Sequence, residues 1–90
     1  MENGKYYIGQ WKNRSANGKA TEFYSDGNIK YEGDFVNDKF QGYGKFIDKD
    51  GNYYIGYWMN NLKHGKGILF NKNGNIIYGG IFFNDMVQKK

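Results

Sequence analysis

The chain has 90 residues, of which 39% are hydrophobic and 20% aromatic, and its formal net charge is +4 at pH 7. This length allows a single domain, in which a small compact core would be only marginally stable. The absence of cysteine excludes disulfides and thiolate metal sites, and it is compatible with a reducing compartment such as the cytoplasm. No run of about 20 apolar residues and no signal-peptide pattern is present, so neither a transmembrane helix nor a signal peptide is predicted.

Alternating apolar residues between turn signals predict about seven short strands. They are expected near residues 6–12, 18–24, 29–36, 42–47, 53–59, 65–70 and 76–83. Asp-Gly and Asn-Gly pairs predict two-residue turns, and loops of about five residues are expected at the other connections. Connections this short favour antiparallel neighbours. Beyond the last strand, Asn84-Asp85 is a candidate cap for a helical turn through Met86 and Val87.

Four segments of the chain share the pattern Tyr-x-Gly-x-aromatic, and they begin 24, 23 and 24 residues apart. The segments are residues 7–11, 31–35, 54–58 and 78–82. Such regular spacing predicts one supersecondary unit copied along the chain, each copy burying its apolar side chains against its neighbours. We therefore predict a single array over residues 1–90, with three full copies that start near Tyr7, Tyr31 and Tyr54 and a partial copy from Tyr78.

The glycines follow the same period. Gly27 and its equivalents follow Asp or Asn and are expected to supply the positive φ of a tight turn. Gly33 and its equivalents lie inside strands, where glycine marks the close approach of a bulky group. Because Tyr, Gly and the second aromatic residue alternate onto one face, an aromatic ring from an adjacent strand is expected over the glycine. The first copy departs from the pattern, with Ala20 and Glu22 in the matching positions.

The residue order of the second copy resembles the MORN repeat, named for membrane occupation and recognition nexus. The resemblance rests on Tyr31-Glu32-Gly33-Asp34-Phe35, Asn37, Gly42-Tyr43-Gly44-Lys45-Phe46 and Asp50-Gly51, and it extends from Asn3 to Gln88. It implies an all-β fold, a single-layer twisted antiparallel sheet of tandem β-hairpins with a shallow aromatic-lined groove. It also implies a scaffold, tether or docking surface, which in proteins that look like this often lies beside another domain.

The aromatic residues of the four segments form a file along one predicted face. They are Tyr7, Trp11, Tyr31, Phe35, Tyr54, Trp58, Tyr78 and Phe82. Two interpretations stay open: the rings form the core, each cross-strand pair contributing about 0.2–1 kcal/mol, or they line a groove for a partner. We expect packing to be their first role. Phe40, Tyr43 and Tyr57 lie off the file and are predicted to contact a protein partner.

Basic residues point to an alternative partner. Arg14, Lys39 and Lys63 fall in successive predicted loops and would form a basic rim if alternate connections line opposite edges of the sheet. Such a rim would attract acidic phospholipid headgroups, at about 1 kcal/mol per basic residue near an anionic membrane. Nucleic acid is not expected as a partner, because the sequence has no basic run or recognition helix.

Catalysis, cofactor binding and metal binding are not expected. The sequence has one histidine, and no carboxylate is paired with a base at a spacing typical of catalysis. His64 occupies the polar position before Gly65, where it is expected to close a loop. No second histidine and no cysteine is present to complete a metal site around it.

The predicted terminal strands, residues 6–12 and 76–83, would expose unpaired backbone donors and acceptors. Such edges favour self-association or the continuation of the array in a longer chain. Taken together, the sequence predicts a cytoplasmic, non-enzymatic module for protein–protein interaction or scaffolding. Peripheral association with acidic phospholipids is the alternative.

Overall fold

The computed structural model describes residues 6–87, which form one open sheet of eight antiparallel strands. The strands are β1 (Tyr6–Lys12), β2 (Ser15–Phe23), β3 (Ile29–Val36), β4 (Lys39–Ile47), β5 (Tyr53–Met59), β6 (Leu62–Phe70), β7 (Ile76–Phe83) and β8 (Met86–Val87). Their order in the sheet is their order in the chain, and the sheet measures 42 × 24 × 17 Å. The predicted all-β sheet of tandem hairpins is confirmed, with eight strands where about seven were expected.

The connections have the reverse of the predicted lengths. The two-residue turns are Asn13-Arg14, Asn37-Asp38, Asn60-Asn61 and Asn84-Asp85. Both residues of each turn have positive φ, for example 50° at Asn37 and 69° at Asp38. Positive φ at both central residues is the mark of a type I′ hairpin turn, and Asn and Asp tolerate it better than most residues. The Asp-Gly and Asn-Gly pairs lie instead in five-residue loops, residues 24–28, 48–52 and 71–75.

Each five-residue loop is closed by its own hydrogen bonds. In the first, the Tyr24 N–H donates to the Asn28 carbonyl at 2.8 Å, and the Gly27 N–H donates to the Tyr24 carbonyl at 3.0 Å. The Asp26 carboxylate accepts the Asn28 N–H at 2.9 Å. Gly27 has a φ of 94°, so the conformation that favours glycine is present, but within a longer loop than predicted.

The end of the described chain is a hairpin and not the expected helical turn. Phe82 pairs with Val87 and Phe83 pairs with Met86, which places β8 beside the end of β7. Within residues 6–87, β8 covers only the last two residues of β7, so that residues 76–81 have no strand beside them on that side. Self-association through the terminal strands, residues 6–12 and 76–83, stays a prediction.

The core lies on the face that carries the Tyr, Gly and aromatic positions of every copy, which we call the ring face. Tyr31, Phe35, Tyr54 and Phe82 are at most 2% exposed there. The rings of Tyr7, Tyr31 and Tyr54 each meet the aromatic residue of their own copy and that of the next copy edge to face. Tyr54, for example, lies 5.0 Å from Trp58 and 5.1 Å from Phe82 between ring centroids. A single layer can bury these rings because they cover one another.

Glycine allows the tyrosine rings to lie flat on the sheet. The Tyr54 hydroxyl donates to the Tyr57 carbonyl at 3.0 Å, and its ring lies against Gly67, where a Cβ would overlap it. Tyr31 has the same relationship to Gly44. Burial raises the pKa of Tyr54 to about 12 and also raises the pKa of Tyr31 above its ordinary value.

Successive hairpins are joined along the edge that carries the two-residue turns. The second residue of each turn makes two hydrogen bonds to one residue of the preceding hairpin. Its backbone N–H donates to the carbonyl of that hairpin residue, and its side-chain oxygen accepts the N–H of the hairpin residue. Asp38 binds Ala16 in this way, Asn61 binds Phe40 and Asp85 binds Lys63, at donor–acceptor distances of 2.6–3.1 Å. We call this pair of hydrogen bonds the turn clamp. It sets the stagger between one copy and the next.

Candidate docking surface

The ring face uses most of its aromatic surface for packing. Of the predicted file, five residues are buried and two are partly buried, and these seven are Tyr31, Phe35, Tyr54, Trp58, Phe82, Tyr7 and Tyr78. Trp11 differs from them, since 46% of it is exposed at the first strand. The ring face therefore offers little free aromatic surface over the second and third copies.

Phe40 does not lie where a partner would reach it, and the sequence prediction for this residue is wrong. It is 7% exposed, and its ring stacks on Tyr31 with the centroids 3.9 Å apart and the planes within 6°. The connection before Phe40 is a two-residue turn, which makes Phe40 the second residue of β4 and not part of a loop. Strand alternation then directs its side chain to the ring face.

Tyr43 and Tyr57 lie on the opposite face of the sheet, which we call the back face. They are cross-strand neighbours on β4 and β5, and their ring centroids are 5.1 Å apart. About half of each residue is exposed, 48% of Tyr43 and 49% of Tyr57. Both are therefore accessible to a partner.

An apolar surface continues from this pair across the next strands. Ile55 pairs with Ile68 on β6, while Ile81 and Phe83 on β7 are 46% and 55% exposed. We call this surface the back-face patch, and its residues are Tyr43, Ile55, Tyr57, Ile68, Ile81 and Phe83. Sequence reasoning identified only the two tyrosines. The period-2 alternation that places the other four on this face was available in the sequence.

The copies agree at the aromatic file positions of the ring face but differ along the back face. In chain order, the copies carry Gln10, Asp34, Tyr57 and Ile81 at the position of Tyr57. At the position of Ile68 they carry Thr21, Lys45 and Ile68. At the position of Phe83 they carry Lys12, Val36, Met59 and Phe83. Ile8, 63% exposed in the first copy, is an exception. Because the first copies form the same hairpins with polar residues, the sheet does not need the apolar side chains of the later copies. An exposed apolar surface of this kind is typical of an interaction site.

The charges around the back-face patch differ between its two sides. On the β3 side, the Asp34 carboxylate accepts the Tyr43 N–H at 3.0 Å, and Glu32 is the cross-strand neighbour of Lys45. Strands β5, β6 and β7 contain no Asp or Glu. Lys45 flanks the patch, its ammonium 4.8 Å from the Tyr53 ring centroid, and the exposed Lys66 is the cross-strand neighbour of Ile81. A complementary surface would combine apolar side chains with carboxylates.

The predicted basic rim is present only in part. Arg14 and Lys39 are exposed at the edge with the two-residue turns. Lys63 is not part of this rim, because β6 begins at Leu62 and the Lys63 side chain lies on the ring face. Its ammonium is 3.7 Å from the carboxylate of Asp85, which belongs to the same edge. The prediction for Lys63 is therefore wrong, and the charge of this edge is mixed.

His64 lies in β6 beside the back-face patch and not in a loop. Its ring centroid is 5.1 Å from that of Phe83, and its Nδ1 is buried with no hydrogen-bond partner in the described part of the chain. Within residues 6–87, no group of three or more His, Cys, Asp or Glu side chains is placed to hold a metal ion. The same residues include no helix long and apolar enough to cross a membrane.

Tandem antiparallel hairpins in one open layer, with tyrosine rings on glycine and clamped turns, define a β-hairpin repeat protein of the interaction-module class. The profile of the MORN repeat matches residues 7–29, 31–53 and 54–76, which make up more than half of the chain. The chain belongs to the MORN repeat family. Repeats of this family form non-catalytic modules that are generally associated with protein and membrane interactions. A comparison with curated proteins gives no significant match.

Proposed function

We propose that this chain is a non-enzymatic docking module that binds a protein partner through the back-face patch. The observation that carries the proposal is the difference between the two faces: the file positions of the ring face are aromatic in every copy, while the back face changes from mostly polar in the first copy to apolar in the last. Selection for folding alone would not place Tyr57, Ile81 and Phe83 in solvent, because the first copy forms the equivalent strand with Gln10 and Lys12 at these positions.

The partner that suits this surface is an amphipathic helix. A helix laid on one face of a sheet is one of the stable ways to cover an apolar sheet face. Four strands, β4 to β7, span roughly 15–20 Å, and a helix of about three turns, roughly 16 Å, has that length. A second copy of the chain fits less well. A stable protein interface needs about 800 Å² from each partner, and a patch of these dimensions supplies about half of that.

The flanks of the helix are expected to carry carboxylates. Lys45 and Lys66 border the back-face patch. Glu32 is the cross-strand neighbour of Lys45, whereas strands β5 to β7, which include Lys66, contain no carboxylate. Acidic residues on both sides of an apolar stripe would pair with these ammonium groups and fix the orientation of the helix. We expect this module to work in the cytoplasm.

The test is a selection from a displayed library of helical peptides, about 20 residues long and randomised on one face. The protein is compared with a variant whose back face copies that of the first repeat: Tyr57→Gln, Ile68→Thr, Ile81→Gln and Phe83→Lys. Lys12→Gln with Thr21→Ser serves as the matched control on the other half of the same face. We expect apolar-acidic helices that bind the protein and the control but not the variant. Selected helices that bind all three proteins equally, or an empty selection, would refute the proposal.

Membrane association is the outcome that would replace protein docking. The back-face patch carries few basic residues, and each contributes only about 1 kcal/mol near an anionic surface. We therefore expect no co-sedimentation with vesicles that contain phosphatidylserine, whether or not Arg14 and Lys39 are replaced by Gln. Binding to such vesicles that disappears in the back-face variant would assign this surface to a membrane.

A further inference from the structure

Away from the aromatic file, the copies differ at several positions of the ring face, and one of these positions lies beside each file tyrosine. It is the residue nine places after each file tyrosine, and it is Ala16 in the first copy, Phe40 in the second and Lys63 in the third. Phe40 covers the ring of its own tyrosine, Tyr31, at a centroid distance of 3.9 Å. Lys63 covers its own tyrosine with an ammonium group. The same place on the sheet therefore accepts either an aromatic ring or a cation.

The third copy shows how the cation is held. The Lys63 ammonium lies 5.6 Å from the ring centroid of Tyr54 and 5.8 Å from that of Trp58. The Asp85 carboxylate, which belongs to the turn clamp, is 3.7 Å away. Two electron-rich rings and one carboxylate form a site for an ammonium group. The chain thus contains an occupied cation site built from repeat positions.

The first copy has the same binding groups without an internal cation at that position. Tyr7 and Trp11 correspond to the two rings, and Asp38 corresponds to Asp85. Their counterpart of Lys63 is Ala16, whose methyl group is fully buried and carries no charge. A cleft of about 350 Å³ opens beside Tyr7, with Phe40 and Phe46 as further aromatic walls.

The cleft also carries an additional carboxylate. Glu22 stands where the other copies have Phe46 and Leu69, and it is 3% exposed although it is an acidic residue. Among the described residues that line the cleft, Glu22 and Asp38 are acidic and Lys30, which approaches Glu22 to 3.4 Å, is basic. Acidic residues in the lining favour a cation as the ligand.

The electrostatics at Tyr7 agree with a negative potential in the cleft. Its pKa is raised to about 12, first by burial and then by the negative charges of Glu22 and Asp38. Both carboxylates therefore act at the Tyr7 ring. A cation placed over that ring would meet both.

We propose that the cleft between Tyr7, Glu22 and Asp38 binds the ammonium or guanidinium group of a lysine or arginine side chain presented by a partner peptide. The bound cation takes the place over Tyr7 that the Lys63 ammonium takes over Tyr54. This site is on the ring face and does not involve the back-face patch. An experiment can therefore refute the proposal for one site without affecting the proposal for the other.

The probe is a blocked pentapeptide with one central lysine among glycines, compared with the same peptide carrying glutamine. Binding is followed by Trp11 fluorescence and by amide chemical shifts around Tyr7. We expect saturable binding of the lysine peptide that weakens as salt is raised, and none of the glutamine peptide. Asp38→Asn keeps the turn clamp, as Asn61 does in the next copy, and should weaken binding about fivefold or more. Glu32→Gln on the back face should leave the affinity unchanged.

Ala16→Lys is the decisive variant, because it supplies the missing ammonium from within the chain, as Lys63 does. We expect it to abolish binding of the lysine peptide in a protein whose amide spectrum shows that it is still folded. Equal binding of the lysine and glutamine peptides, or unaltered binding by a folded Ala16→Lys protein, would overturn the proposal. Phosphocholine serves as the lipid-derived source of an ammonium group. Tighter binding of phosphocholine than of the lysine peptide would also overturn it.

Discussion

Asp38 and Ala16, 22 residues apart in the chain, exchange two hydrogen bonds: the Asp38 N–H donates to the Ala16 carbonyl at 3.0 Å, and the Asp38 carboxylate accepts the Ala16 N–H at 2.6 Å. The same pair of bonds recurs at Asn61 and at Asp85. Each clamp satisfies backbone groups at the edge of the sheet that would otherwise depend on water. The clamp and the nesting of rings on glycine together hold successive hairpins in register.

The contribution of the clamp can be measured at Asn61. Asn61→Gly keeps the positive φ of 71° but removes the oxygen that accepts the Phe40 N–H. We expect the free energy of unfolding to fall by about 1–2 kcal/mol. Asn61→Asp, which copies the clamps at Asp38 and Asp85, should change it by less than about 0.5 kcal/mol. Urea unfolding of the two variants makes the comparison, and equal stabilities would show that the side-chain bond contributes nothing.

The nesting of rings on glycine predicts a sharp difference between two glycines on adjacent strands. At Gly67 an added Cβ would overlap the Tyr54 ring, while at Gly79 its nearest neighbour would be Ile68 at 3.7 Å. Gly67→Ala should therefore lower the free energy of unfolding by about 2 kcal/mol or more, because the buried ring has to move. Gly79→Ala should cost less than about 0.5 kcal/mol. Thermal unfolding followed by circular dichroism distinguishes the two, and similar losses would contradict the proposed packing.

Two equivalent tryptophans should differ in their importance for stability. Trp58 is 5% exposed and its indole N–H donates to the Gly44 carbonyl at 3.1 Å, whereas Trp11 is 46% exposed. Trp58→Ala is expected to cost about 3–5 kcal/mol. Trp11→Ala is expected to cost less than about 1 kcal/mol. If the Trp58 protein does not fold, Trp58→Phe gives a measurable loss, since it removes the hydrogen bond and part of the packing. A Trp58→Phe protein as stable as the wild type would refute the role assigned to Trp58.

Burial of the tyrosines makes the fold sensitive to alkali. The pKa of Tyr54 is about 12 in the folded chain, against an ordinary value of 10.0, and the pKa of Tyr31 is raised as well. Below pH 10 the tyrosines are neutral in both states and the stability is fully present. Between pH 10 and 12 the unfolded chain loses these protons first, so that the free energy of unfolding decreases as the pH rises.

Urea unfolding at pH 9, 10 and 11 tests this dependence. The free energy of unfolding should decrease less steeply with pH in Tyr54→Phe than in the wild type, because one of the titrating groups has been removed. All other residues are identical in the two proteins, so that the difference between them belongs to Tyr54. An unchanged slope in Tyr54→Phe would show that Tyr54 does not contribute to the pH dependence.

Much of the fold could be predicted from the repeat alone. The period of Tyr-x-Gly-x-aromatic gives the strands and the face that carries the core, and Ala20 with Glu22 marks the first copy as different. The lengths of the connections could not be derived in the same way, because Asp26-Gly27 and Asn37-Asp38 are both acceptable in a two-residue turn. What decides between them is the turn clamp, a contact between residues 22 apart that no local pattern contains.

The docking surface was only partly predictable for a different reason. Alternation assigns Ile68, Ile81 and Phe83 to the back face, but it does not say which face the fold requires. In this sheet the ring face buries its own side chains, so that exposed apolar residues on the other face have no structural purpose. Phe40 was assigned wrongly because its assignment depended on the length of the preceding connection.

The central claim is that the ring face holds the sheet together and the back face is free to bind. It is tested most directly by the free energy of urea unfolding of the variant with Tyr57→Gln, Ile68→Thr, Ile81→Gln and Phe83→Lys. The account predicts a loss of less than about 2 kcal/mol for the four substitutions together, the sum expected of surface changes. A loss as large as that of Trp58→Ala, about 3–5 kcal/mol, would mean that the back face is part of the core.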